Sequence, residues 1–282
     1  NQPAHNPILS QSCGLDIALV IDSSGSIDGL ELAQMKAAFA GFVNVFLPMT
    51  PTQFSVTDYD FNATVLQAFT GNASSIISAI NLPTSGGNTN WQQGLLQAQS
   101  TFDPRANNPN LVIFSSDGNA NIAGPPLVYG EAAALDAAIT VANSIKNAGT
   151  RIIALGIGDD LDIANLEKIS SADAVYTSNF ATLAADMAAM ATELRGGTIT
   201  ARKIIDQDGD LQTASDQAPG AGWNFNVAGS PQTTDPAGYT QAVKVDAGTY
   251  DVGESLDQDY SLINASCQGA NNNGSLSQTT IS

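Results

Sequence analysis

The residues best able to do chemistry sit where three apolar runs give way to polar loops. The first group is Asp22-Ser23-Ser24-Gly25-Ser26, of the form D-x-S-x-S, directly after residues 15–21. The second is Ser85-Gly86-Gly87-Asn88-Thr89, and the third is Ser115-Ser116-Asp117-Gly118, which follows residues 111–114. Together they offer two carboxylates, Asp22 and Asp117, and three hydroxyls, Ser24, Ser26 and Thr89. Hard oxygen donors of this kind suit Mg²⁺, and also Mn²⁺ or Ca²⁺. Any one of them alone reads more naturally as a helix cap, because Asp, Ser and Thr favour such junctions. Five at loop ends able to converge predict a cation site. Metal-assisted catalysis would need a base or nucleophile beside the ion. The three loops contain no Lys or Arg, the sole histidine is His5 in the N-terminal arm, and neither Cys13 nor Cys267 is near the motif loops. The pattern predicts binding, with no enzymatic activity.

Those loops need elements to hold them. Residues 15–21 read as a buried central strand. A helix follows with the stripe Leu32, Met35, Phe39, Phe42, Val43 and Phe46, spaced three or four apart. Residues 54–59 and 63–69 predict a hairpin about Asp60-Phe61-Asn62. A helix with Trp91, Leu95, Ala98 and Phe102 on one face precedes a strand at 111–114. The next helix carries Leu135, Ala138, Ile139, Ala142 and Ile145. It leads to a strand at 151–155, a short helix near 163–169 and a short strand at 174–176. A last helix presents Phe180, Leu183, Met187, Met190 and Leu194. Alternation at this spacing predicts an α/β fold: a doubly wound, mostly parallel sheet with helices on both faces. Ligands of such sheets bind in the crevice outside the carboxyl ends of the strands, where the motif loops fall.

The pattern changes at Gly196-Gly197. Strands predicted at 198–205, 223–227, 240–245, 248–254 and 260–266 alternate with Gly, Pro, Asp and Asn clusters, which fits a small β-sandwich. The expected organisation is an arm at 1–12, an α/β domain at 13–196 and a β domain at 198–282. The arm is either a tail or a strand lent to the β domain. Cys13 and Cys267 flank predicted strands at the two ends. A disulfide between them would close a loop of about 250 residues and contribute on the order of 4 kcal/mol; two unpaired thiols are the alternative.

The 27 acidic residues against nine basic ones give a formal charge of −18. That surface repels phosphate backbones and anionic lipid, which argues against nucleic acid and direct membrane insertion. It suits divalent cations and an exterior setting. No apolar run approaches the roughly 20 residues of a spanning helix. The opening Asn1-Gln2-Pro3-Ala4-His5 lacks the basic start and apolar segment of a signal peptide, as a mature chain would.

D-x-S-x-S after the first strand, Gly-Gly-Asn-Thr before a helix, and Ser-Asp-Gly after an apolar strand resemble the von Willebrand factor A family. The hairpin at 54–69 resembles that family's second and third strands. The resemblance covers about 180 residues in register, and it implies that Asp22, Ser24, Ser26, Thr89 and Asp117 form a metal-ion-dependent adhesion site (MIDAS). It further implies an open coordination position that accepts a Glu or Asp carboxylate from a protein partner, with Asn88, Asn90, Trp91 and Asn119 on the rim. Trp91 departs from the second Thr or Ser of many relatives. In some relatives the last helix, here 180–194, slides to switch affinity.

The second domain resembles the prealbumin-like or collagen-binding-B-like modules of bacterial surface proteins, through Gly197-Thr198-Ile199-Thr200-Ala201-Arg202-Lys203 and Ala247-Gly248-Thr249-Tyr250-Asp251-Val252-Gly253-Glu254. Lys203 and Glu254 fall where some pilin-type relatives keep the Lys and Glu of a self-made isopeptide bond, but no matching Asn is evident. Asp206-Gln207-Asp208-Gly209-Asp210 resembles a calcium loop without the spacing of an EF-hand, and a plain turn is the simpler reading. The sequons at Asn62, Asn72, Asn264 and Asn273 are of the kind that Asn-rich chains produce by chance. The combined expectation is a cell-surface or secreted adhesin, part of a larger surface protein or fibre, gripping a protein ligand through Mg²⁺. One alternative is a structural pilus or matrix component using the site for subunit contacts. Another is an intracellular partner of an enzyme complex.

Overall fold

Alternation along the first strand explains why the sheet is buried on both faces. In β1 (Asp16–Asp22) every residue is buried. Ile17, Leu19 and Ile21 face one core, while Ala18 and Val20 face the other. A computed structural model describes residues 1–10, 14–47, 50–102, 108–210, 212–246, 248–255 and 260–265. Cys13 and Cys267, and so their pairing, lie outside the described residues. The chain divides into two units, 1–195 and 196–282.

In the first unit β1 leads into α1 (Gly29–Phe46). Asp28 caps this helix: its carboxylate accepts from the amides of Leu30 and Glu31, and the Glu31 carboxylate accepts in return from the Asp28 amide. The helix buries the stripe read from the sequence. Phe42 and Phe46 meet Phe54 edge-on at 6.2 and 5.7 Å, each such ring contributing about 1.5–3 kcal/mol by burial. Then come β2 (Gln53–Tyr59), β3 (Ala63–Thr70), α2 (Ala73–Ile80), α3 (Trp91–Thr101) and β4 (Asn110–Ser116). A two-stranded hairpin, β5 (Ile122–Ala123) and β6 (Val128–Tyr129), precedes α4 (Glu131–Asn147). β7 (Arg151–Ile157), α5 (Ile163–Ile169), β8 (Val175–Ser178) and α6 (Leu183–Arg195) complete the unit. The sheet order is β3-β2-β1-β4-β7-β8, parallel except for the antiparallel edge strand β3. Helices α1, α2 and α6 cover one face; α3, α4 and α5 cover the other. This is the α/β architecture expected from the alternation.

The parallel register decides what meets at the crevice. Asp22, the last residue of β1, lies opposite Tyr59, the last residue of β2, and Val20 lies opposite Phe114 of β4. Three strand ends therefore deliver Asp22, Tyr59, Ser116 and Asp117 to one edge of the sheet. Among the described residues no helix is long and apolar enough to cross a membrane.

The arm departs from one expectation. Residues 1–10 belong to the first unit rather than being lent to the second. The reason is Asn6, whose buried carboxamide donates to the Ile152 carbonyl at 2.8 Å and accepts from the Ile152 amide at 2.9 Å. That pair anchors the arm beside β7. Arg151 adds a bond to the Pro7 carbonyl.

The second unit contains only short strands among its described residues, together with one 3-10 turn at Ala214–Asp216. They are β9 (Gly197–Ile199), β10 (Ile204–Ile205), β11 (Ala218–Pro219), β12 (Asn224–Val227), β13 (Ser230–Thr233), β14 (Val243–Val245) and β15 (Val252–Glu254). They form a β13-β12-β15 sheet and the pairs β14-β9 and β10-β11. The strand expected at 198–205 is broken between β9 and β10. The one expected at 260–266 carries no ladder over 260–265, where Tyr260 instead sets its ring edge-on against Trp223 at 4.8 Å.

Candidate metal centre

Asp22 is fully buried, and its two oxygens are held separately. Oδ1 accepts from the Ser24 amide at 2.8 Å, which folds the D-x-S-x-S loop back over the strand end. Oδ2 accepts from the Ser116 hydroxyl at 2.6 Å and lies 2.9 Å from the Tyr59 hydroxyl. From there a chain of hydroxyls crosses the crevice. Ser24 Oγ lies 3.1 Å from Ser26 Oγ, and Ser26 donates to Asp117 Oδ1 at 2.9 Å. Four of the five expected residues are thus linked by direct bonds.

Thr89 arrives on a separate loop, fixed by a two-way pair with Asn121: Thr89 N to Asn121 Oδ1 at 3.0 Å and Asn121 N to Thr89 O at 3.1 Å. Its loop is stitched to the first one. The Gly86 amide donates to Ser23 O, and the Ser85 hydroxyl donates to Ile27 O. Gly87, at φ +74, also makes a close approach that a side chain would block, since a Cβ would stand 3.0 Å from Asp60 Oδ2.

The rim expectation needs correction. Trp91 is fully buried, not at the surface. Its indole fills the space between α3 and the sheet, edge-on to Phe114 at 5.5 Å, and its N–H donates to Ser116 Oγ at 3.0 Å. It therefore supports the crevice from beneath, through Ser116, to Asp22. Asn90 is buried too, as the cap of α3: it accepts from the Gln93 amide and donates to Phe61 O. Asn119 is half-buried, and its carbonyl oxygen accepts from the Asp162 amide and from Asn165 of α5. Asn88 is the half-buried remainder.

Sequence reasoning missed Tyr59, Ser116 and Asn121. Tyr59 is pressed against α3 at Gly94, where a Cβ would come within 2.9 Å of the ring, so the glycine is what lets the ring lie flat enough to reach Asp22. The position of Ser116 beside Asp117 was the one available signal.

The electrostatics are one-sided. Burial raises the Asp22 carboxyl above its usual range, against the opposing hydrogen bonds from Ser116 and Ser24. Asp117 is pushed up to about 6, by burial first and then by the Asp22 charge. The Tyr59 phenol is raised well above its ordinary value by burial and by Asp22. Among the described residues no Lys or Arg meets either carboxylate. Two buried carboxyls, adjacent hydroxyls and no cation form a donor set that fits a hard divalent ion.

The other acidic group behaves differently. Asp206, Asp208 and Asp216 bring carboxylate oxygens within 4.8 Å of one another in the second unit. Local amides already serve all three: Gly209 N bonds Asp206 Oδ1, Asp208 N bonds Asp216 Oδ2, and Asp210 N bonds Asp208 Oδ1. The last of these bonds holds Asp208 below the usual carboxylate range. This geometry is that of a turn.

The sequence profile of the von Willebrand factor type A domain matches residues 16–194. The chain belongs to that family. No curated protein sequence matches it. Solved structures resemble the A domain at low identity. The vWF domain of the type V pili tip protein Mfa5 from Porphyromonas gingivalis is 18% identical, with a TM-score of 0.57, covering 68% of this chain and 96% of that one. Proximal thread matrix protein 1 from the mussel byssus, in a structure with a zinc-occupied MIDAS motif, is 21% identical, with a TM-score of 0.55, covering 67% and 50%. The pilus adhesin SpaC from Lactobacillus rhamnosus GG is 17% identical, with a TM-score of 0.56, covering 89% and 39%. This chain therefore spans about half the length of the byssus protein and less of SpaC.

Proposed function

We propose that the A domain is a metal-dependent protein-binding head, and that Asp22, Ser24, Ser26, Thr89 and Asp117 hold the ion. The observation that carries this reading is the pair Asp22 and Asp117, buried in one crevice and joined through Ser24 and Ser26, with no positive side chain among the described residues against either. A bound Mg²⁺, or Mn²⁺ or Ca²⁺, supplies the missing charge and offers a coordination place to a partner's carboxylate. Tyr59, Ser116 and Trp91 orient Asp22 from behind, as outer-shell groups do at metal sites. We read the role as binding rather than catalysis, because the carboxylates and hydroxyls of the crevice are the groups assigned to the ion, and among the described residues no His or Lys contacts Asp22 or Asp117 to act beside it. We read the protein as a secreted or cell-surface adhesin and the second unit as a prealbumin-like spacer within a larger surface protein or fibre. Structural neighbours that are a pilus-tip protein and a pilus adhesin support that setting.

A structural role in a fibre or matrix, with the same site joining subunits, is the second reading, favoured by the likeness to a byssal matrix protein. Beads coated with the protein separate the two. The adhesin reading expects them to adhere to cells or purified matrix with Mg²⁺, to release in EDTA, and to fail to adhere with Asp117→Ala. Metal-dependent self-association without adhesion would favour the assembly role. Adhesion indifferent to EDTA and to the variant would defeat both.

A further inference from the structure

We propose that the β5–β6 hairpin is the second half of the binding surface. Its occupant is a polypeptide segment of a partner protein carrying one carboxylate next to an aliphatic or aromatic side chain, with basic residues around them. This rests on the metal-dependent reading above and names the partner's chemistry.

The hairpin exposes three large apolar residues in a row: Leu127 at 48%, Val128 at 42% and Tyr129 at 66%. Pro125 and Pro126 beside them are exposed as well. Single exposed apolar residues are ordinary, but a contiguous group beside a polar site marks an interaction surface. The opposite strand of the hairpin is sunk in the domain, since Ile122 and Ala123 are buried and pair with Tyr129 and Val128. Gly124 N donates to Gln92 Oε1 of α3 at 2.8 Å, and Gly130 N closes the base on Asn121 O at 3.0 Å. The exposed apolar strand is therefore presented on a fixed support, which lowers the ordering cost of binding.

Its position ties it to the crevice. Tyr129 lies directly across from Ile122, the neighbour of Asn121, and Asn121 is the residue that holds Thr89 by two bonds. The base of the hairpin and the crevice loop that carries Thr89 are thus held by one residue, Asn121. Tyrosine is also among the side chains enriched where binding energy concentrates.

Charge sets the flanks. Glu31 lies near enough to raise Asp117, Asp60 stands against Gly87, and Glu131 follows the hairpin. Among the described residues none of these three meets a Lys or Arg. Beyond the one carboxylate taken by the ion, this end of the domain repels acidic residues and attracts basic ones, and it does so over a range that salt shortens.

The test is a random heptapeptide display library selected on the full chain in Mg²⁺ and eluted with EDTA, with the Leu127→Ser/Val128→Ser/Tyr129→Ser variant run alongside. Circular dichroism and melting establish that the variant is folded, and Tyr129→Ser alone serves as a milder second variant. The proposal expects eluted sequences with one Asp or Glu, an apolar residue within two positions, and an excess of Lys or Arg. A synthetic peptide of the commonest sequence should bind the triple variant at least about tenfold more weakly in Mg²⁺. Acidic sequences without apolar neighbours, or equal affinities for wild type and variants, overturn the hairpin and leave the metal reading intact. If EDTA elutes nothing, the metal reading falls and the hairpin proposal falls with it.

Discussion

Buried carboxylates occur in both units of this molecule, and they are treated in opposite ways. In the second unit Glu254 is buried with Lys203, whose ammonium comes 2.6 Å from Oε1 and 4.1 Å from the centre of the Trp223 ring. The contact is close without the alignment of a hydrogen bond, so charge attraction and the aromatic face hold it together. In the A domain Asp22 and Asp117 are as deeply buried, yet among the described residues they meet only hydroxyls and backbone amides. The first arrangement neutralises itself. The second leaves negative charge in a place of low dielectric and raises both carboxyls, the electrostatic condition that the proposed cation site requires.

Breaking each arrangement separates them. Lys203→Met strands Glu254 and should destabilise the second unit by on the order of 3–5 kcal/mol, read by hydrogen exchange of β12 and β15. Asp117→Asn should do the reverse to the A domain without metal, stabilising it by roughly 2–3 kcal/mol at neutral pH in urea unfolding with EDTA present. The pH dependence follows from the same shift. The folded Asp117 carboxyl titrates at about 6 and the unfolded one near 3.8, so its own contribution to metal-free stability is greatest below about 4, falls between about 4 and 6 and levels off above that. Cation affinity should climb across that window, because the ion competes with the proton. A flat profile in both would remove the electrostatic argument.

Smaller effects sharpen the contrast. Tyr59→Phe and Ser116→Ala touch only the support of Asp22, and each should lower Mg²⁺ affinity by about 10–100-fold with the ion still bound at higher concentration. The double change Lys203→Met/Glu254→Leu should be nearly neutral, within about 1 kcal/mol, since an apolar pair replaces a buried ionic one. A large loss there would mean the pair does more than neutralise itself.

Much of the A domain is legible in its sequence. The stripe from Leu32 to Phe46 and the apolar runs at 15–21 and 111–114 carry enough periodicity to give helix, strand and layer. The three loop motifs then locate Asp22, Ser24, Ser26, Thr89 and Asp117. What they do not carry is register. Tyr59 meets Asp22 only because parallel pairing aligns two strand ends, and no local signal in 53–59 says so. Trp91 misled for a related reason, since a residue that opens a helix beside a motif can face inward as well as outward. Helix α2 escaped notice because eight residues are too few for a stripe; Asn72, a sequon residue, is its cap and accepts from the Ser75 amide. In the second unit strands of two to four residues leave the sequence little alternation to display.

Calorimetric titration of Mg²⁺, and separately of Mn²⁺, into the wild-type chain and the Asp22→Asn/Asp117→Asn double variant tests the central idea most directly. The expected result is one site per chain in the wild type that is absent from a folded double variant. Binding that survives unchanged in the variant, or no heat for either ion at millimolar concentration in the wild type, would contradict it.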